Sequence, residues 1–198
     1  VKKLLLFCLL FIVGCKKEES LPPAKTITMK QGEGQSIFQL PGTWATQEGV
    51  STQLGSLKGK TTLLAMIYTS CTFACPRLLA DMRRIEAKIP TSERSNMRFI
   101  LISIDPERDT PQKLKQFAAD NKLDLAYWTL MRGSQSDLEE LSAVLGFRFQ
   151  KISPIDFAHS NLLTVFNPQG EMVFQQEGIG ANPDEIVSVM QQTVQKLR

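Results

Sequence analysis

The chain has a single histidine among its 198 residues, so no site built within it can use two or three imidazoles. Its four cysteines are too sparse for a fold held together by disulfides. An excess of one charge is also missing. Lys and Arg number 23 against 20 for Asp and Glu, a formal net charge of +3, which is far from the basic balance of a nucleic-acid binder. The N-terminal apolar run Leu4–Val13 holds ten residues, about half of the roughly 20 needed to span a bilayer. What remains is an ordinary globular composition, 42% hydrophobic and 22% charged, at a length that fits one domain plus a tail. A domain of this size buries roughly 70% of its unfolded surface and needs no covalent staple.

Residues 1–20 read VKKLLLFCLLFIVGCKKEES. Lys2 and Lys3 form a positive start, Leu4–Val13 an apolar centre, and the order suits a secretory signal peptide. Ile12-Val13-Gly14-Cys15 resembles the lipobox of bacterial lipoproteins. The reading predicts a signal peptide over residues 1–14, removed before Cys15, and lipid on the Cys15 thiol. Several acyl chains at about 0.8 kcal/mol per buried CH₂ give stable anchoring, which places the rest of the protein outside the cytoplasm, on the periplasmic side of the cell envelope. Residues 15–34, with Lys-Lys-Glu-Glu and Pro22-Pro23, read as a lipidated tether. Residues 35–198 form the folded domain.

Within that domain, Ser36–Leu40 and Thr43–Thr46 are short strand candidates around Pro41-Gly42. Thr61–Tyr68 is a continuous apolar run, as expected of a central strand covered on both faces. Cys75–Ile89 carries Leu78, Leu79, Met82, Ile85 and Ile89 on one helical stripe. Met97–Ile104 is a second buried strand. Thr110-Pro111 opens a helix to about Asp120, and Leu125–Met131 is a third strand. Ser136 and Glu139 suggest a capping box for a helix that Gly146 stops. Leu162–Phe166 and Met172–Gln176 flank the turn Asn167–Gly170, and Asn182-Pro183 caps a last helix. The predicted class is α/β, a central mixed sheet flanked by helices. The cysteines at a strand-to-helix turn and the closing hairpin plus helix resemble the thioredoxin fold.

The chemistry is expected at Cys71-Thr-Phe-Ala-Cys75-Pro76, at the carboxyl end of the first central strand, where open α/β sheets place ligands. Residues four apart share a helix face, about 6 Å along the axis. The pair can therefore converge on one ion or form a disulfide. A helix N-terminus favours thiolate, which is both nucleophile and metal ligand. A bridge over so short a loop removes little unfolded-state entropy, which argues against a purely stabilising role. For a metal, two thiolates and the imidazole of His159 form a soft set that selects Cu(I) or Zn(II). A closed zinc site wants four ligands, and the mature chain offers three, whereas copper tolerates trigonal coordination. Asp156 reads as a plain turn residue. Asp105, Glu107 and Asp109 read as acids of a solvated turn that complement a helix dipole.

Three motifs together resemble the Sco/SenC family of copper-binding thioredoxin-like proteins: Tyr68–Pro76, Ile102–Pro111, and Asp156–Ser160 followed by Phe166–Gly170. The resemblance runs from about Ile37 to Leu197. It implies that Cys71, Cys75 and His159 bind Cu(I) and Cu(II). It also implies that the protein is a metallochaperone rather than an enzyme in the strict sense, serving the dinuclear copper A centre of cytochrome c oxidase. The implied partners are the oxidase subunit that carries this centre, another copper donor protein, and the membrane through the lipid anchor, with no nucleic acid. The alternative within the family is a thiol–disulfide oxidoreductase in which Cys71 and Cys75 are a redox-active pair that reduces the oxidase thiols. A peroxidase using Cys71 is a weaker third reading. One departure is Thr72, which stands where the family usually has Pro after the first cysteine.

Overall fold

The computed structural model describes residues 26–28 and 36–195. The main sheet takes β1 (Thr26–Thr28), β2 (Trp44–Thr46), β3 (Ser51–Thr52), β4 (Thr61–Ile67), β5 (Met97–Ser103), β6 (Trp128–Arg132), β9 (Leu162–Phe166) and β10 (Met172–Glu177), in the spatial order β1-β10-β9-β4-β5-β6-β2-β3. Strands β4, β5 and β6 are parallel, while β9 runs antiparallel to β4. The helices are α1 (Ala74–Lys88), α2 (Thr91–Arg94), α3 (Pro111–Asp120), α4 (Gln135–Leu145) and α5 (Pro183–Gln195). A separate two-stranded hairpin, β7 (Phe149–Ser153) and β8 (Asp156–His159), makes no ladder with the main sheet. The α/β class with a central mixed sheet flanked by helices is therefore observed.

Every residue of β4 is buried, which explains its unbroken apolar sequence: helices cover both faces of the sheet. On one side α1 and α5 pack together, joined by Lys88 Nζ to Asp184 at 2.6 Å, while Gln191 Nε2 of α5 donates to Glu93 of α2 at 2.9 Å. Ser142 of α4 donates to Met66 Sδ of β4 at 3.9 Å. Phe99 stacks on Trp128 with centroids 4.9 Å apart, joining β5 to β6.

Several local expectations change. Ser36–Leu40 is a 3-10 turn over Ile37–Gln39 rather than a strand. Ile37 and Phe38 are both buried, which a strand with one solvated face cannot do for adjacent residues. The turn is held from outside, because Ile37 N–H donates to the Gly170 carbonyl at 2.9 Å. Gly170 lies at φ +83, and a Cβ there would sit 2.5 Å from the Phe38 ring, so the hairpin turn requires glycine on both counts.

Strand β6 starts at Trp128 rather than Leu125, because the Asp124 carbonyl accepts both Tyr127 and Trp128 N–H groups at 2.9 Å in a turn. The capping box lies two residues earlier than expected. Ser134 Oγ accepts from Asp137 N–H, and Asp137 returns the bond to Ser134 N–H. Asp at the third helical position closes that reciprocal box as Glu does. Gly146 ends α4 in the left-handed conformation, as its position predicts.

The stretch read as a tether contains β1, whose residues Thr26 and Thr28 face Gln176 and Phe174 across the edge of the sheet. The signal peptide and Cys15 lie outside the described residues. Among the described residues no helix is long and apolar enough to cross a membrane.

Candidate metal centre

Strand β4 delivers the chain to Tyr68, and α1 begins six residues later. The intervening loop is fixed by Asp109, which is 1% exposed. Its Oδ2 accepts from Thr69 N–H at 3.0 Å and from the Ser103 hydroxyl at 2.5 Å, and its Oδ1 accepts from the Thr69 hydroxyl at 2.5 Å. The carboxylate thus ties the loop, two residues before Cys71, to the end of β5. Asp105 is equally buried and pairs with Arg108. Only Glu107 of the three acids matches the solvated-turn expectation, and it pairs with Lys151 at 3.0 Å. Asp105 and Asp109 differ from that expectation because Arg108, Thr69 and Ser103 engage their carboxylates inside the fold.

At the start of α1, Cys75 N–H donates to Cys71 Sγ at 3.3 Å. This is one of the free helix-terminal donors aimed at sulfur. Burial pushes the Cys71 thiol up, but the N–H groups of Cys75 and Phe73 and further hydrogen bonds from Cys75 and Tyr68 outweigh it, so its pKa falls below the ordinary thiol value. Cys75 is 1% exposed. Burial, reinforced by Cys71 and the Asp109 charge, drives its pKa well above the ordinary value. The two sulfurs therefore differ: Cys71 is partly exposed with its pKa lowered, and Cys75 is buried with its pKa raised. Both are free of any disulfide.

His159 arrives from the β7–β8 hairpin, where it pairs with Phe149. Its Nδ1 lies 2.7 Å from the Ser160 carbonyl oxygen, which can only accept. Nδ1 therefore carries the proton, and the Nε2 lone pair faces Cys75 Sγ at 4.0 Å. The ring is wedged between Phe147, nearly parallel at 6.0 Å, and Tyr68, edge-on at 5.7 Å. The donor atoms of Cys71, Cys75 and His159 all lie within 4.8 Å of one another. Two sulfurs and one nitrogen at that spacing can close on a single soft ion with small side-chain rotations. All three residues named from the sequence are brought together.

Asp156 is more than the plain turn residue expected: its Oδ1 accepts from the Tyr68 hydroxyl and from Phe157 N–H, while the His159 ring takes Ser160 as its partner. The Tyr68 hydroxyl and the Phe157 N–H hold its carboxyl below the usual carboxylate range. Among the supporting residues, Phe147 carries no local sequence signal, Tyr68 enters only as the end of an apolar run and the first residue of a motif, and Asp109 is expected as a solvated acid. His159 stands in a strand that the sequence pattern does not reveal, because β7 and β8 are partly exposed and carry few apolar residues.

The asymmetry of the thiols gives a direct expectation. In the reduced protein at pH 7–8, iodoacetamide should modify Cys71 at least about tenfold faster than Cys75, since thiolate fraction and access both favour it. The Cys71 rate should reach its plateau at lower pH than a free thiol, because a depressed pKa means deprotonation sets in earlier. Peptide mass mapping over a pH series measures both, and equal rates at the two sulfurs would contradict the assignment.

The SCO1/SenC family model matches residues 31–195. The chain is 33% identical to the SCO1 protein homolog of Bacillus subtilis over 153 residues, covering 75% of this chain and 78% of that protein. Among solved structures, it superposes on BsSco, described as a Sco family member with a disulfide switch, with a TM-score of 0.68, 29% identity, and coverage of 81% and 98% of the two chains. It also shares the fold of Bradyrhizobium japonicum ScoI with copper bound, with a TM-score of 0.62, 23% identity, and coverage of 77% and 97%. The matched region takes in both cysteines, the Asp109 loop and the hairpin that carries His159, and the chain belongs to the SCO1/SenC family.

Proposed function

We propose that this protein is a membrane-anchored copper metallochaperone. It holds one copper ion on Cys71, Cys75 and His159 and assists assembly of the copper A centre of cytochrome c oxidase. The observation that carries the reading is the convergence of two sulfurs and an imidazole nitrogen within 4.8 Å, with the histidine tautomer fixed so that Nε2 faces the sulfurs. A soft, three-donor set of this kind suits copper, which accepts low coordination, better than structural zinc. The relative from Bradyrhizobium japonicum holds copper, and BsSco is described as belonging to a family of cytochrome c oxidase assembly proteins.

In this reading Cys71 and Cys75 bind copper as thiolates and His159 supplies the third donor. Phe73, 66% exposed beside Cys71, offers apolar surface to the receiving subunit. The partners are the oxidase subunit with the copper A site and an upstream copper donor. The order of charge, apolar run and Cys15 supports a lipid anchor that keeps the domain on the outer side of a membrane.

A second reading, reduction of the oxidase thiols, is favoured by one specific observation: a partly exposed sulfur, Cys71, accepts the Cys75 N–H at the helix start beside a buried partner sulfur, and this lowers the Cys71 pKa while burial raises that of Cys75. It needs both sulfurs but not the imidazole. The separating variant is therefore His159→Ala. Copper delivery predicts that this variant loses oxidase assembly in a strain lacking the wild-type protein, whereas thiol reduction predicts full rescue.

A further inference from the structure

The hairpin that brings His159 has few holds on the body of the protein. Among the described residues its side-chain polar links to the rest are the exposed pair Lys151–Glu107 at 3.0 Å, the bond from the Tyr68 hydroxyl to Asp156, and the contact of His159 Nε2 with Cys75 Sγ at 4.0 Å, which is the site itself. The first is a surface ion pair of the kind that contributes little. The second is charge-assisted, and its donor is anchored: Tyr68 is 3% exposed at the end of the buried strand β4. Asp156 is the first residue of β8 and His159 the last, so a hold on one end fixes the approach of the other. The Tyr68 ring continues the contact along the same strand, lying 5.2 Å from Phe157 and 5.7 Å from His159.

We propose that the Tyr68 hydroxyl and the Asp156 carboxylate form a latch that keeps the His159 hairpin closed over the cysteine loop. The latch thereby sets the fraction of chains that offer three donors rather than two. The proposal rests on the copper reading above and deepens it: Tyr68 and Asp156 are positioning residues that act through His159. A site whose competent form is only partly populated binds with affinity reduced by that fraction. The consequence is selective. Cu(I) is satisfied by two thiolates, whereas Cu(II) wants nitrogen and a higher coordination number. Opening the latch should therefore weaken Cu(II) binding and leave Cu(I) binding nearly unchanged.

The test compares Tyr68→Phe, which keeps the ring and removes the hydroxyl, with Asp156→Ala and Asp156→Asn, the last retaining an acceptor oxygen. Tyr68→Phe and Asp156→Ala are expected to weaken Cu(II) binding by about tenfold, Asp156→Asn by less, and Cu(I) binding in a chelator competition by under about threefold. The nitrogen signature in the Cu(II) spin-resonance spectrum should fall in step. In the His159→Ala background, Asp156→Ala should cost nothing further, because its effect runs through the missing imidazole; Tyr68→Phe does not serve there, since the Tyr68 hydroxyl also interacts with Cys71. An undiminished loss in that background, or wild-type Cu(II) affinity in Tyr68→Phe, overturns the latch. Amide hydrogen exchange on the metal-free protein supplies an independent reading. Residues 149–159 should exchange about tenfold faster in Tyr68→Phe while β4 and β5 stay protected, and unchanged exchange in the hairpin also overturns it. A wild-type chain that takes up no copper sinks the proposed function, and the latch is then judged on hydrogen exchange.

Discussion

The Cys71→Ala/Cys75→Ala protein is expected to fall from about one copper per chain to under about a tenth after anaerobic Cu(I) loading and desalting. The reason is the donor count. Among the described residues one His/Cys/Asp/Glu cluster has metal-binding geometry, and two of its three members are these sulfurs. The imidazole that remains is a single neutral donor, too weak to retain a soft ion against washing. The fold should survive. Cys71 sits in the loop, and Cys75→Ala removes one buried sulfur from the first turn of α1, a large-to-small change costing about 1 kcal/mol. Far-ultraviolet circular dichroism should therefore match wild type while metal content collapses. Stoichiometric copper in the double variant would mean that the ion is held elsewhere. Loss of the folded signal would instead mean that the pair stabilises the domain.

Asp109→Ala is expected to destabilise the domain by about 3–4 kcal/mol. The carboxylate is 1% exposed and receives three hydrogen bonds, two from Thr69 and one from Ser103. Removing it leaves those donors without an acceptor, the Ser103 hydroxyl in a fully buried position and the Thr69 groups in a partly buried one. For a domain of this size the loss should lower Tm by roughly 10 °C. Asp109→Asn should cost only about 1–2 kcal/mol, because its carbonyl can take the Thr69 N–H and the Ser103 hydroxyl while the Thr69 hydroxyl turns to accept. Denaturant titration of the two variants measures the difference. Equal losses would show that the negative charge itself, rather than the pattern of acceptors, is what the loop requires.

Legibility in the sequence followed local signal strength. The buried strands Thr61–Ile67 and Met97–Ser103 and the helix after Cys75 were plain, because continuous apolar runs and a helical stripe record their own burial. The turn Asn167–Gly170 and the stop at Gly146 were plain because backbone conformation selects the residue. The two cysteines and the histidine were also found, the cysteines by spacing and His159 by position and resemblance. Less readable were features whose cause lies far away in the chain. Ile37 and Phe38 form a turn because Gly170 receives them. Asp109 is buried because the loop of Thr69, 40 residues earlier, needs an acceptor. The β7–β8 hairpin packs by its edge against Tyr68 and leaves Ile152 and Ile155 exposed, so no clean alternation marks it. Each of these is a long-range contact, and no periodicity within a window of residues reports it.

That hairpin also divides the protein into parts with separate tolerances. Its strands pair with each other and not with the eight-stranded sheet, so apart from Phe149 and Phe157, which pack against the core, residues 149–159 can vary without disturbing the sheet. The two sulfurs belong to the core's own strand-to-helix joint and are as constrained as the fold itself. A lineage that trimmed the hairpin would keep a stable, two-thiol domain in one step. The third donor is the component most easily lost or redesigned, and the place where related chains can diverge in metal preference at least cost to folding.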